Sequence, residues 1–87
     1  MRFWARIFKD NRMIKDLTVT VDGDETRTHK VFAAIEKISY EFDIAAPIWL
    51  DLNIADFKKY SKVKFKTDSF IEEVFFDYLE FSVLEED

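Results

Sequence analysis

Residues with shared character recur at the two-residue spacing of strands in several stretches of this chain, and apolar residues recur at helical spacing in another. Over residues 2–9, Phe3, Ala5 and Ile7 fall on one side and Trp4, Arg6 and Phe8 on the other, the two-residue period of a strand. Asp10-Asn11-Arg12 is a polar break suited to a hairpin turn. Residues 13–21 alternate again, with Met13, Leu17, Val19 and Val21 sharing a face that Lys15 interrupts. Asp22-Gly23-Asp24-Glu25 then reads as a turn. Val31, Ile35, Ile38 and Phe42 follow at helical spacing, which predicts a helix over 29–43 capped by Thr28, with Ala34 widening the stripe. His29, Glu36 and Tyr40 lie on its opposite side, and Pro47 stops it.

Past the proline, Asn53 has the character of an N-cap with Asp56 at N3, and Leu52 and Phe57 have the spacing of a hydrophobic staple. These predict a short helix over 54–60. Lys62-Val63-Lys64-Phe65-Lys66 alternates completely and reads as a one-sided edge strand. Ser69 and Glu72 have capping-box spacing, which predicts one helical turn near 70–73. Residues 75–84 return to strand, with Leu79, Phe81 and Val83 on one face and Phe76, Tyr78, Glu80, Ser82 and Leu84 on the other. The order β-β-α-short α-β-β predicts an α+β fold: a four-stranded antiparallel sheet with helices packed on one face. The first and last strands are expected at its centre, because both carry large apolar residues on both faces.

Composition narrows the chemistry. The chain has 87 residues, read as a single domain over 1–87, with 48% hydrophobic and 17% aromatic content. Surface scaling gives about 5,400 Å² accessible when folded against about 15,000 Å² unfolded, enough burial for a core without a staple. With no Cys, one Gly and one His, the chain excludes a disulfide framework, a thiolate zinc site, a Cys nucleophile, a P-loop and a multi-histidine centre. His29 with Asp24, Glu25 or Glu36 is a poor metal set, since His29 and Glu36 are ~10 Å apart along a helix. No metal or cofactor is expected. Glu72, Glu73 and Asp77 are carboxylates that nothing gathers into a cleft, so no catalytic residue is assigned and the chain is read as not an enzyme. The N-terminus carries charges every few residues and has no signal-peptide core, and no apolar run reaches ~20 residues. The expected setting is the cytoplasm, without a membrane partner.

The net charge of −5 is segregated. Residues 58–67 carry five lysines and no acid, whereas residues 68–87 carry eight acids and no base. Adjacent strands of opposite charge explain such blocks, and so does an interaction surface.

Arg2-Phe3-Trp4-Ala5-Arg6, Thr26-Arg27-Thr28-His29-Lys30, Pro47-Ile48-Trp49-Leu50 and Asp77-Tyr78-Leu79-Glu80 together resemble a family of short uncharacterised proteins of low-GC Gram-positive bacteria. The resemblance covers nearly the whole chain. It implies a bacterial origin and carries no activity or site residue with it.

The most informative feature is the second face of the expected sheet. If the long helix covers Phe3, Ile7, Leu17, Val19, Phe65, Leu79, Phe81 and Val83, the reverse holds Trp4, Phe8, Ile14, Phe76, Tyr78 and Leu84. One long and one short helix cannot cover both sides. Either residues 44–60 fold back over the reverse, with Trp49 and Phe57 as cover, or it is a contact face for a second copy or another protein. The chain is read as a small non-catalytic interaction module that self-associates or binds a partner through Trp4, Arg6, Phe8, Phe76 and Tyr78. The alternative is weak single-stranded nucleic-acid binding, with Lys58, Lys59, Lys62, Lys64 and Lys66 on phosphates and the rings stacking on bases.

Overall fold

A computed structural model describes residues 1–87. The chain forms β1 (Arg2–Lys9), β2 (Arg12–Thr20), α1 (Arg27–Phe42), α2 (Asp51–Tyr60), β3 (Lys62–Lys66), a 3-10 turn (Thr67–Ser69) and β4 (Tyr78–Glu85). The strands make one antiparallel sheet in the order β2-β1-β4-β3. The first and last strands are central, as their two-sided apolar content requires. The expected α+β architecture is the one observed.

β1 and β2 are joined through Asp10 and Asn11, both at positive φ (52° and 64°), the two-residue turn whose twist matches a hairpin. Asp77 Oδ2 accepts the Asp10 amide at 2.9 Å and ties this turn to the start of β4. The β1–β2 register shifts between Ile7 and Phe8: Ile7 faces Lys15, but Phe8 faces Met13, leaving Ile14 as an extra residue. The bulge explains both irregularities in the β2 pattern. Met13 does not join Leu17 and Val19 under the helix; it is half exposed opposite Phe8. Lys15 stays on the helix side and places its ammonium over the Phe75 ring.

Three predicted boundaries move. α1 begins at Arg27 because Thr26, not Thr28, is the cap: its Oγ1 accepts the His29 amide at 3.2 Å. It ends before Pro47, at Asp43, whose left-handed backbone (φ 55°) lets Ile44 donate to Ser39 O and Asp43 donate to Tyr40 O. α2 begins at Asp51, so Asn53 sits inside the first turn. Its Oδ1 accepts the Leu50 amide at 2.9 Å, its Nδ2 donates to Lys64 O, and Ser69 Oγ donates back to Oδ1. The Leu52–Phe57 staple does not form, since Leu52 points to solvent while Phe57 enters the core. Ser69 likewise caps no helix over 70–73. It is fully buried, and its carbonyl takes the Ile48 amide, so the chain there turns once over 67–69.

The core is one cluster between the sheet and the two helices. Phe3, Phe65 and Phe81 are fully buried at its centre. Phe81 stacks on Phe3 (5.2 Å) and on Phe57 (5.7 Å), and Trp49 meets Phe65 edge-on at 4.8 Å. α1 supplies Val31, Ala34, Ile35, Ile38 and Phe42. The accessible surface, 5759 Å², is close to that expected from mass.

Three cations converge on the acidic tail. Asp87 accepts from Lys30 and, at 2.7 Å, from the Met1 α-ammonium. The Lys30 contact first, and then that ammonium, hold the Asp87 carboxyl below its ordinary value. Arg27 grips Glu86 with two nitrogens at 3.1 Å, and this hydrogen bond raises the guanidinium value against a smaller opposing effect of burial.

Candidate interaction surface

Residues 44–60 do not cover the reverse face. Trp49 and Phe57 pack on Phe65 and Phe81, the same side that α1 occupies. α2 turns Asn53 and Phe57 inward, to Lys64 O and the core, and leaves Leu52, Ile54 and Tyr60 exposed. Both helices therefore share one face, and the other stays open.

On that open face the side chains of β1 and β4 form a continuous stack. The Arg6 guanidinium lies 4.2 Å from the Trp4 ring and 5.4 Å from Phe8. Phe8 stacks on Tyr78 at 4.9 Å with 16° between planes, and the Lys64 ammonium sits 4.9 Å from the Tyr78 ring. Register produces this order: Arg6 is opposite Glu80, Phe8 opposite Tyr78, and Lys64 opposite Glu80 on its other side. Arg6 forms an ion pair with Glu80, whose side chain is 7% exposed against 24% for Arg6. Arg6 Nε has no acceptor within the chain. Trp4, Arg6, Phe8 and Tyr78 are all half-buried, supported by their neighbours yet accessible.

Phe76 does not belong to this surface. It lies before β4 begins, is 3% exposed, and packs edge-on against Phe70 in the core. Strand alternation cannot be extended back to it, because residues 70–77 form an irregular loop across the sheet end.

The lysine cluster divides. Lys62, Lys64 and Lys66 alternate with the buried Val63 and Phe65, which puts them on the open face. Lys58 is on the other side of the sheet, in a 250 Å³ groove between the helices with Arg27, Phe32, Trp49 and Ile54. Lys59 lies over the Tyr60 ring of its own helix. The three open-face lysines have no carboxylate partner, whereas the acids of that face are engaged. Glu80 is held by Arg6, Glu85 by Arg2 at 3.2 Å, and Asp16 accepts the Trp4 indole N–H at 3.0 Å. Asp16 keeps its charge beside the neutral indole, and Asp56 and Asp68 line the hollow along β3 with the three lysines, so the lysine row is uncompensated only in part.

Among the remaining candidates, His29 Nδ1 pairs with Glu25 at 3.2 Å in solvent, and Glu36 is not part of that contact. Asp77 serves the hairpin turn, Glu80 serves Arg6, and neither lines a cavity. Glu72 and Glu73 border a 110 Å³ hollow walled by Ile44, Phe70 and Phe75. No helix is long and apolar enough to cross a membrane. Comparison with family models, with curated proteins and with solved structures finds no match, so the surface is read from its own geometry.

Proposed function

We propose that this chain is a small non-catalytic interaction module that docks an acidic protein segment on the open sheet face. The observation that carries the reading is the placement of both helices on one side of the sheet, which leaves Trp4, Arg6, Phe8 and Tyr78 uncovered beside three lysines without partners. Aromatic rings and arginine are the side chains that most often anchor protein interfaces. The partly uncompensated lysines favour an acidic partner and disfavour a second copy meeting this face with its own, since like charges would then be brought together.

The test is an NMR titration of the protein with a peptide of Glu and Leu residues, at two salt concentrations. The expected result is shifts confined to β1, β4 and β3, weaker at high salt, and absent in the Trp4→Ala/Phe8→Ala variant. No shifts, or shifts on α1 and α2, would remove the reading.

A second reading, single-stranded nucleic-acid binding, draws on one observation: Lys62, Lys64 and Lys66 share a face with the rings, and Lys64 touches Tyr78. It puts phosphates on the lysine row and bases on Tyr78, Phe8 and Trp4. Its affinity for a labelled oligothymidylate would fall steeply with salt. Absence of binding at low ionic strength ends it.

A further inference from the structure

The two edges of the sheet are finished differently. Asn53 of α2 reaches over β3 and donates to the Lys64 carbonyl, and three lysines line the strand, so that edge is both partly occupied and charged. β2 has no such cover. Met1 and Val21 exchange both backbone hydrogen bonds, so the bonded pairs of the β1–β2 ladder are the odd residues of β2 as far as the bulge. The even residues Asp16, Thr18 and Thr20 therefore turn their N–H and C=O groups away from β1. No other group of the chain takes them. That is a regular, unpaired edge, bounded at one end by the bulge at Ile14 and the helix-side Lys15.

We infer that this edge pairs with the same edge of a second copy, antiparallel about a two-fold axis at Thr18, making one eight-stranded sheet from two chains. This is a different surface from the open face and does not depend on that proposal. Three features support a second copy as the occupant. The free groups are in phase for self-pairing: Thr18 meets Thr18, and Asp16 meets Thr20, so every outward N–H of the segment finds a carbonyl. The axis falls at the centre of the regular segment 16–20, so the bulge ends the new ladder symmetrically on both sides. On the helix side, Leu17 would meet the Val19 of the other copy, and both are only half-buried in one chain. Above them, Glu36, Lys37, Tyr40 and Glu41 of α1 wall a wide groove along β2, and these charges have no ion-pair partner within the chain. Tyr40, 84% exposed, stands in that groove beside the edge.

The test uses sedimentation over a hundredfold concentration range, with amide hydrogen exchange, on wild type, on the two edge variants Thr18→Pro and Tyr40→Glu, and on the open-face control Trp4→Ala/Phe8→Ala. Thr18→Pro removes an N–H that the isolated chain does not use, and edge strands tolerate proline. Tyr40→Glu leaves the packing of one chain untouched. The expected result is a wild-type dimer with protected amides at Asp16, Thr18 and Thr20. Both edge variants should be folded by circular dichroism and at least tenfold weaker in association. A wild type that stays monomeric overturns the inference. So does a dimer that survives in both edge variants. A dimer lost in Trp4→Ala/Phe8→Ala but kept in Thr18→Pro and Tyr40→Glu would locate association on the open face and overturn it as well. Should Thr18→Pro fail to fold, Tyr40→Glu and the exchange pattern still decide.

Discussion

Under the helices, Phe3, Phe65 and Phe81 are fully buried, with Ala5 and Ile7 between them and no charge. On the open side, Trp4, Phe8 and Tyr78 are half-buried and spaced by Arg6, Glu80 and Lys64. Both faces are rich in rings, so aromatic content does not separate core from surface in this protein. The separation lies in what stands between the rings. Apolar neighbours need a cover to leave water. A guanidinium stacked between rings and paired with a carboxylate shields them in part while keeping its own contact with solvent.

The contrast predicts unequal costs. Phe81→Ala removes a ring that touches Phe3, Phe57 and Trp49, and should cost about 3–5 kcal/mol of unfolding free energy in urea titrations. Trp4→Ala/Phe8→Ala deletes more atoms but should cost less per ring, because each of these rings keeps part of its surface in water whereas Phe81 keeps none; an equal cost per ring would erase the distinction between the faces. Arg6→Met should cost about 2 kcal/mol by leaving Glu80 buried without its cation, and Arg6→Met/Glu80→Leu should recover most of the loss. Recovery in the double variant separates a desolvated pair from simple lost packing. Asn53→Ala should cost about 1–3 kcal/mol, since the Leu50 amide, the Lys64 carbonyl and the Ser69 hydroxyl all lose a partner, and it should expose the β3 edge to faster exchange. Asp43→Gly should stabilise by about 0.5–1 kcal/mol through relief of its left-handed backbone.

The tail contact gives a pH signature. The folded value of Asp87 is lowered, so its contribution is present above the unfolded carboxylate value and is lost as pH falls through the folded one. Acid titration by NMR should show Asp87 titrating below the ordinary carboxylate range, and Lys30→Met should bring it back toward that range.

Much of this was legible in the residues. Alternation located β1, β2 and β3, and the helical spacing of Val31, Ile35, Ile38 and Phe42 located α1. The two-sided apolar content of the outer segments identified the central strands. Trp4, Arg6, Phe8 and Tyr78 were legible as one surface because they keep strand parity. Phe76 was not, because parity holds only within a strand and residues 70–77 leave the sheet. Lys58 and Lys59 adjoin the lysine strand in sequence, but both belong to α2, and Lys58 lies in the groove between the helices. Residue type alone does not place the caps: α2 starts from Leu50 rather than Asn53, and α1 from Thr26 rather than Thr28. Thr26 and Thr28 have the same hydroxyl chemistry, and the backbone geometry at the turn chose between them.

The sequence by itself determined the elements, their order and the exclusion of thiol and phosphate-loop chemistry, because these follow from local periodicity and composition. Only the tertiary structure decided which face the second helix would cover. That choice rests on Asn53 meeting Lys64 and Ser69, and on Trp49 and Phe57 meeting Phe65 and Phe81, contacts between residues far apart in sequence. Side-chain parity is symmetric between the two faces of a sheet, and the packing of the helices is what breaks that symmetry.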